Sequence, residues 1–133
     1  MRENPLVQLH KDATNASLAA LCAKDQGKYW EMHDIMFDNP KKLSVENLKS
    51  YAIGMGLDAE TFNACLDTKE HAKSIRQDMA IGSKLGVSGT PAFVLGLTNL
   101  DDPDKVDAKV FIKGAQGIDQ FRAHIDRLLE QAK

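Results

Sequence analysis

Thiols are the most reactive side chains in this 133-residue chain, and it has two of them, Cys22 and Cys65. They stand 43 positions apart, which excludes a local C-x-x-C redox pair and a zinc knuckle built on closely spaced cysteines. The four histidines, His10, His33, His71 and His124, are far apart in sequence. No glycine-rich phosphate cradle opens a helix after a strand, so metal catalysis, hydrolase triads and phosphate loops find no support. Gly114-Ala115-Gln116-Gly117 is a connector rather than such a cradle. The most informative stretch is Leu85-Gly86-Val87-Ser88-Gly89-Thr90-Pro91-Ala92-Phe93, between a long helical pattern and an apolar run. Read locally it is a turn into a strand, with Gly89 supplying flexibility and Thr90-Pro91 a bond type that can be cis.

Helical periodicity dominates the elements that must position these residues. From Asp12 the residues Ala13, Ala16, Leu18, Ala19, Ala20 and Cys22 are good or neutral helix formers, closed by Gly27. Tyr29 to Phe37 repeats apolar and aromatic residues at helical offsets until Asn39-Pro40 stops it. Ser44 caps a third helix with Leu48, Tyr51, Ala52 and Met55 on one face, and Asp58 caps a fourth through Phe62, Cys65 and Leu66. Thr68 is expected to cap a fifth, running through Ala72, Ile75 and Met79 to Leu85-Gly86. Gly54 and Gly82 lie inside this pattern, each costing about 1 kcal/mol relative to alanine.

Beyond Gly86 the pattern becomes that of strands. Pro91 to Leu97 is continuous and apolar, Asn99 to Asp104 has turn chemistry, and Lys109 to Lys113 resumes an extended run, which makes a hairpin. Ile118, Phe121, Ile125, Leu128 and Leu129 then mark a last helix. Met1 to His10, with Pro5, reads as an extended lead-in. Two strands alone are marginal, and the apolar run Ala92 to Leu95 suggests burial on both faces. A second copy of the chain, another polypeptide or the lead-in is expected to complete the sheet, because an apolar edge invites pairing.

A formal net charge of −2 and a pI near 6.1 give no attraction to phosphate, and the basic residues alternate with Asp and Glu along helix faces. Nucleic acid is therefore excluded as a partner. No apolar run approaches the roughly 20 residues of a membrane span, and no signal peptide opens the chain.

The run around Thr90-Pro91 resembles the Gly-Val-x-Gly-Thr-Pro-x-Phe loop of the thioredoxin superfamily. Cys22-Ala23-Lys24-Asp25-Gln26-Gly27-Lys28-Tyr29-Trp30-Glu31-Met32-His33-Asp34 with Phe37, and Leu57-Asp58 through Phe62 to Asp67, are similar to the helical insertion of DsbA-like thiol-disulfide oxidoreductases. The resemblance extends over about residues 2 to 131. It implies a mostly helical α/β fold of thioredoxin-like, DsbA type, truncated to a helical insertion, a β-hairpin and a C-terminal helix: one domain, 1–133, a fragment or truncated relative expected to lack the N-terminal βαβ unit, with the helical insertion over about 12–86 and the thioredoxin half over about 87–133. It also implies a cis bond at Pro91, and substrate binding at Gly89, Thr90 and Pro91, where an extended polypeptide or a redox partner protein adds a strand. Trp30 and Met32 are expected in the core, and His33 as a hydrogen-bonded packing residue.

Cys22 and Cys65 are either buried small hydrophobes or a bridge from the first helix to the fourth. The oxidising, periplasmic or secreted setting that the resemblance implies favours the bridge. The sequence departs from the family in one respect: it has no C-x-x-C, which should precede residues equivalent to Arg2-Glu3-Asn4-Pro5-Leu6, so there is no catalytic nucleophile and no resolving thiol. The chain alone is expected to be redox-inactive, with no cofactor and no metal. The alternatives are a non-catalytic module that binds peptide or self-associates through its open sheet edge, and, more weakly, a relative of the glutathione-using kappa-type transferases and isomerases.

Overall fold

The computed structural model describes residues 1–98, 101–102 and 106–132, which divide into two units, Met1–Leu85 and Gly86–Lys133. The first unit is all helical: α1 (Ala13–Asp25), α2 (Tyr29–Asp38), α3 (Val45–Gly54), α4 (Ala59–Thr68) and α5 (Ala72–Lys84). α1 is its central element, packed against each of the other four. Small residues suit that position, because Ala19, Ala20 and Ala23 let neighbouring helices approach around Leu18 and Cys22. Phe62, Leu18, Met32 and Leu48 are the largest fully buried side chains and fill the space between the helices.

The helix starts follow capping chemistry. Ser44 Oγ accepts the amide of Asn47 at 3.4 Å, and the Asp58 carboxylate accepts that of Thr61 at 2.8 Å. Thr68 does not cap α5, contrary to expectation. Its hydroxyl donates back to the carbonyl of Ala64 at 2.8 Å, so it belongs to the last turn of α4. Lys69 then turns left-handed at φ 55°, and His71 occupies the cap position of α5. Trp30 also differs from expectation. It is 58% exposed, whereas Met32, two residues on and on another side of α2, is fully buried.

The lead-in is not a strand. Turn bonds run from the amides of Leu9 and His10 to the carbonyl of Leu6. It is pinned by polar contacts: Arg2 pairs with Asp78 at 2.7 Å, the amide of Glu3 donates to Asp78 at 3.0 Å, and the Tyr29 hydroxyl donates to Glu3 at 2.6 Å. Burial, and then the Glu3 carboxylate beside it, push the Tyr29 phenol well above the ordinary tyrosine range.

The second unit holds β1 (Ala92–Thr98), β2 (Val106–Lys113) and α6 (Ile118–Gln131). The strands pair antiparallel, with Phe93 opposite Ile112 and Leu95 opposite Val110, until a bulge between Leu95 and Gly96 brings Gly96 opposite Ala108. Glycine is required there, because an added Cβ would lie 2.7 Å from the carbonyl carbon of Asp107. α6 packs on β1, where Phe93 and Phe121 meet edge to face at 4.9 Å. The expected double burial of Ala92 to Leu95 is not found: neighbouring Phe93 and Val94, which point to opposite faces, are each 38% exposed. One helix within the unit covers only part of a two-stranded sheet. The turn expected over 99–104 falls mostly outside the described residues.

Candidate functional site

Gly89, Thr90 and Pro91 lie in the connection leading into β1, with Gly86 at φ +75° opening it. The Thr90–Pro91 peptide bond is cis. Thr90 and Pro91 are exposed and Gly89 is partly so. The loop is held from the other side of the hairpin: the amide of Gly114, itself at φ +75°, donates to the Pro91 carbonyl at 2.8 Å. Gln116 adds a bond from its side chain to the carbonyl of Lys113, also 2.8 Å. The loop backbone is thus anchored at Pro91 while Thr90 faces outward. Among the described residues the sheet has only two strands, so β1 and β2 each keep one edge outside the ladder. Such an edge next to an exposed loop can take an extended segment as a further strand.

The thiols form a second locus, within the helical unit. Cys22 on α1 and Cys65 on α4 are joined in a disulfide, with their Cα atoms 5.9 Å apart and both residues buried. A ring nitrogen of His71 lies with the two sulfurs in a group whose members are all within 4.8 Å of one another. His71 Nε2 in turn donates to the Asp25 carboxylate at 2.6 Å. Chain connectivity explains the cluster. Asp25 is three residues after Cys22, on the same face of α1, and the tight left-handed corner at Lys69 folds the start of α5 back beside Cys65. The spread of the histidines along the chain conceals this; the spacings Cys22 to Asp25 and Cys65 to His71 are the local signal.

His33 is one wall of an apolar cavity of about 290 Å³ that also includes Tyr29, Met36, Phe37 and Leu43. Its Nδ1 lies 2.9 Å from the Asp34 carboxylate and its ring stacks on Phe37 at 4.4 Å. It is therefore a packing residue with a satisfied polar edge.

A family model described as a DSBA-like thioredoxin domain matches residues 3–126. The chain belongs to the DsbA-like thioredoxin family. Its mostly helical composition, with a two-stranded antiparallel sheet and a helix following it, agrees with that membership. The curated proteins to which the chain is similar are named as antiporters. The Na(+)/H(+) antiporter NhaA 3 of Salinispora tropica is 34% identical over 107 residues, 80% of this chain and 16% of the antiporter. NhaA 1 of Salinispora arenicola is 37% identical over 92 residues, 69% of this chain and 14% of that protein. NhaA of Herminiimonas arsenicoxydans is 33% identical over 84 residues, with 63% and 14% covered. The chain thus spans about one sixth of the length of the relatives it matches. Among the described residues no helix is long and apolar enough to cross a membrane. No solved structure matches the chain.

Proposed function

We propose that this DsbA-like protein works in thiol-disulfide exchange as a substrate-holding domain: Gly89, Thr90 and Pro91 receive an extended polypeptide, or a redox partner, as an added strand. The single observation that carries the proposal is the exposed Thr90 at the entry to a strand with an open edge, in a chain of this family. Backbone pairing gives affinity without demanding a particular substrate sequence. The chain as given holds no C-x-x-C, and its two cysteines are bonded to one another. By itself it therefore does not turn over dithiols, because exchange needs a thiolate that attacks and a second thiol that resolves. In this reading residues 12–86 are the helical insertion and 87–133 the thioredoxin half, working outside the cytoplasm, where disulfides form.

A second reading has its own support. The Salinispora tropica antiporter is 34% identical to 80% of this chain, which covers 16% of that protein, and this favours a non-catalytic binding module attached to larger proteins. Two assays test what both readings require. Isotope-labelled protein titrated with an extended peptide should show amide shifts at Gly89, Thr90 and Ala92; no shift at any of them sinks the strand-addition claim. An insulin-reduction assay should give the uncatalysed rate; turnover above it would overturn the inactivity of the isolated chain.

A further inference from the structure

We propose that Cys22, Cys65 and His71 form a zinc site once the disulfide between the cysteines is reduced, with Asp25 orienting the histidine. Three donors of the right kind already converge: two sulfurs and an imidazole nitrogen, all within 4.8 Å of one another. Two thiolates at about 2.3 Å from a tetrahedral zinc stand about 3.8 Å apart. Rotation about χ1 of either cysteine provides that opening once the bond between them is cut. Thiolate and imidazole together select zinc among the common divalent ions.

The outer contact has the form such sites use. Asp25 accepts the Nε2 proton of His71 at 2.6 Å, which leaves the lone pair on Nδ1 and makes the ring a better donor. The charge balance is sound as well, since two thiolates match the dication and Asp25 offsets the polarised imidazole. Three protein ligands leave the fourth tetrahedral position to water or to an incoming thiolate.

Access is provided by an open cavity of about 510 Å³ lined by Glu60, Thr61, Ala64, Cys65, Thr68 and Glu70. It reaches Cys65 from the surface, and the carboxylates of Glu60 and Glu70 give its lining a sign that draws cations rather than anions. The reaction balances in two steps. A small dithiol or a protein dithiol gives two electrons and two protons to the Cys22–Cys65 bond and is itself oxidised to a disulfide. Zinc then displaces the two thiol protons into solvent as the S–Zn bonds form. A disulfide of the same class reverses the sequence: it takes two electrons from the two thiolates and two protons from solvent, leaves as the dithiol, and the ion is expelled as the Cys22–Cys65 bond re-forms, so the two cysteines hold α1 to α4 either covalently or through the metal.

The test uses the whole chain, reduced with a phosphine in metal-free buffer, and cobalt(II) as a spectroscopic stand-in for zinc. The reduced chain should bind one cobalt, read as thiolate-to-metal charge-transfer absorption, and zinc should displace it; the oxidised chain should bind none. His71→Ala should weaken zinc at least tenfold in competition with a chromophoric chelator, and Asp25→Asn by about tenfold, with the charge-transfer band retained in Asp25→Asn. Equal cobalt uptake by oxidised and reduced protein, or by the reduced Cys22→Ser/Cys65→Ser variant, would overturn the proposal. If the reduced chain loses helix, one equivalent of zinc should restore its circular dichroism. Failure to restore it overturns the proposal equally.

Discussion

Removing the link between Cys22 and Cys65 perturbs the helical unit in a way whose size can be worked out. The bond joins residues 43 apart in sequence. Closing a loop of about that length removes about 13 cal/mol/K of chain entropy from the unfolded state, or about 4 kcal/mol at 25 °C. Native-state relaxation and residual unfolded structure reduce such values, so about 2–4 kcal/mol is expected. A unit of this size is stable by roughly 4–13 kcal/mol in all, which makes the bond a large fraction of the total. The comparison is wild type against Cys22→Ala/Cys65→Ala in urea. Far-UV circular dichroism and the fluorescence of Trp30, the single tryptophan, which lies on α2, report the transition. With m near 1 kcal/mol/M for a small domain, the midpoint should fall by about 2–4 M. Protein purified without reductant and then denatured should titrate no free thiol. Coincident midpoints, or two thiols per chain, would refute the reasoning.

Other expectations follow from the packing and from two groups whose pKa is displaced, Asp58 and Tyr29. Phe62→Ala empties the largest fully buried position and should cost about 3–5 kcal/mol in the same urea experiment; a loss below 1 kcal/mol would show that the helices collapse into the space. The Asp58 carboxyl is held below the usual carboxylate range by its bonds to the side chain and amide of Thr61. Because the folded value is the lower one, its support of α4 is complete above the unfolded carboxyl pKa and fades as pH falls through the folded value. Thermal stability should therefore drop on acidification by more in wild type than in Asp58→Asn, and parallel profiles would remove this cap from the account. Tyr29, raised by burial and by Glu3, should ionise later than an ordinary phenol in an absorbance titration. Its bond is present below the ordinary tyrosine pKa and is lost as pH rises through the raised one. Tyr29→Phe should abolish the late step and cost about 1 kcal/mol; an unchanged titration curve would show that the phenol is not the group responsible.

What could be seen in the residues, and what could not, divides along the range of the interactions. Ser44 and Asp58 were legible as caps because the oxygen and the amide it accepts are three residues apart. Thr68 has the same chemistry and misleads, since a hydroxyl at a helix end bonds backward to Ala64 as readily as it bonds forward. Periodicity placed Trp30 on a helix without saying which side of α2 meets the core, and that side belongs to Met32 and Met36. β2 starts at Val106, three residues before the expected Lys109, because exposed Asp107 and Ala108 carry little apolar signal. The loop at Thr90-Pro91 was the most legible feature, being local in the chain. The grouping of Cys22, Cys65, His71 and Asp25 was legible only in pieces: the bridge was one of two readings of the cysteines and the spacings to Asp25 and His71 are local, but the meeting of all four depends on how α1, α4 and α5 pack.

The irregularity at Leu95/Gly96 divides the hairpin into two halves with separate obligations. On the loop-proximal side, pairing from Ala92 with Lys113 through Leu95 with Val110 holds Pro91 against Gly114. On the far side, the extra residue of β2 has already reset which side chains point up and which down. A length change beyond it can be absorbed by tightening or widening that kink, leaving the clamp on Pro91 in phase. Substitutions on the far side, at Leu97 and Thr98 or at Val106 to Ala108, should therefore leave the rim beside Thr90 its shape.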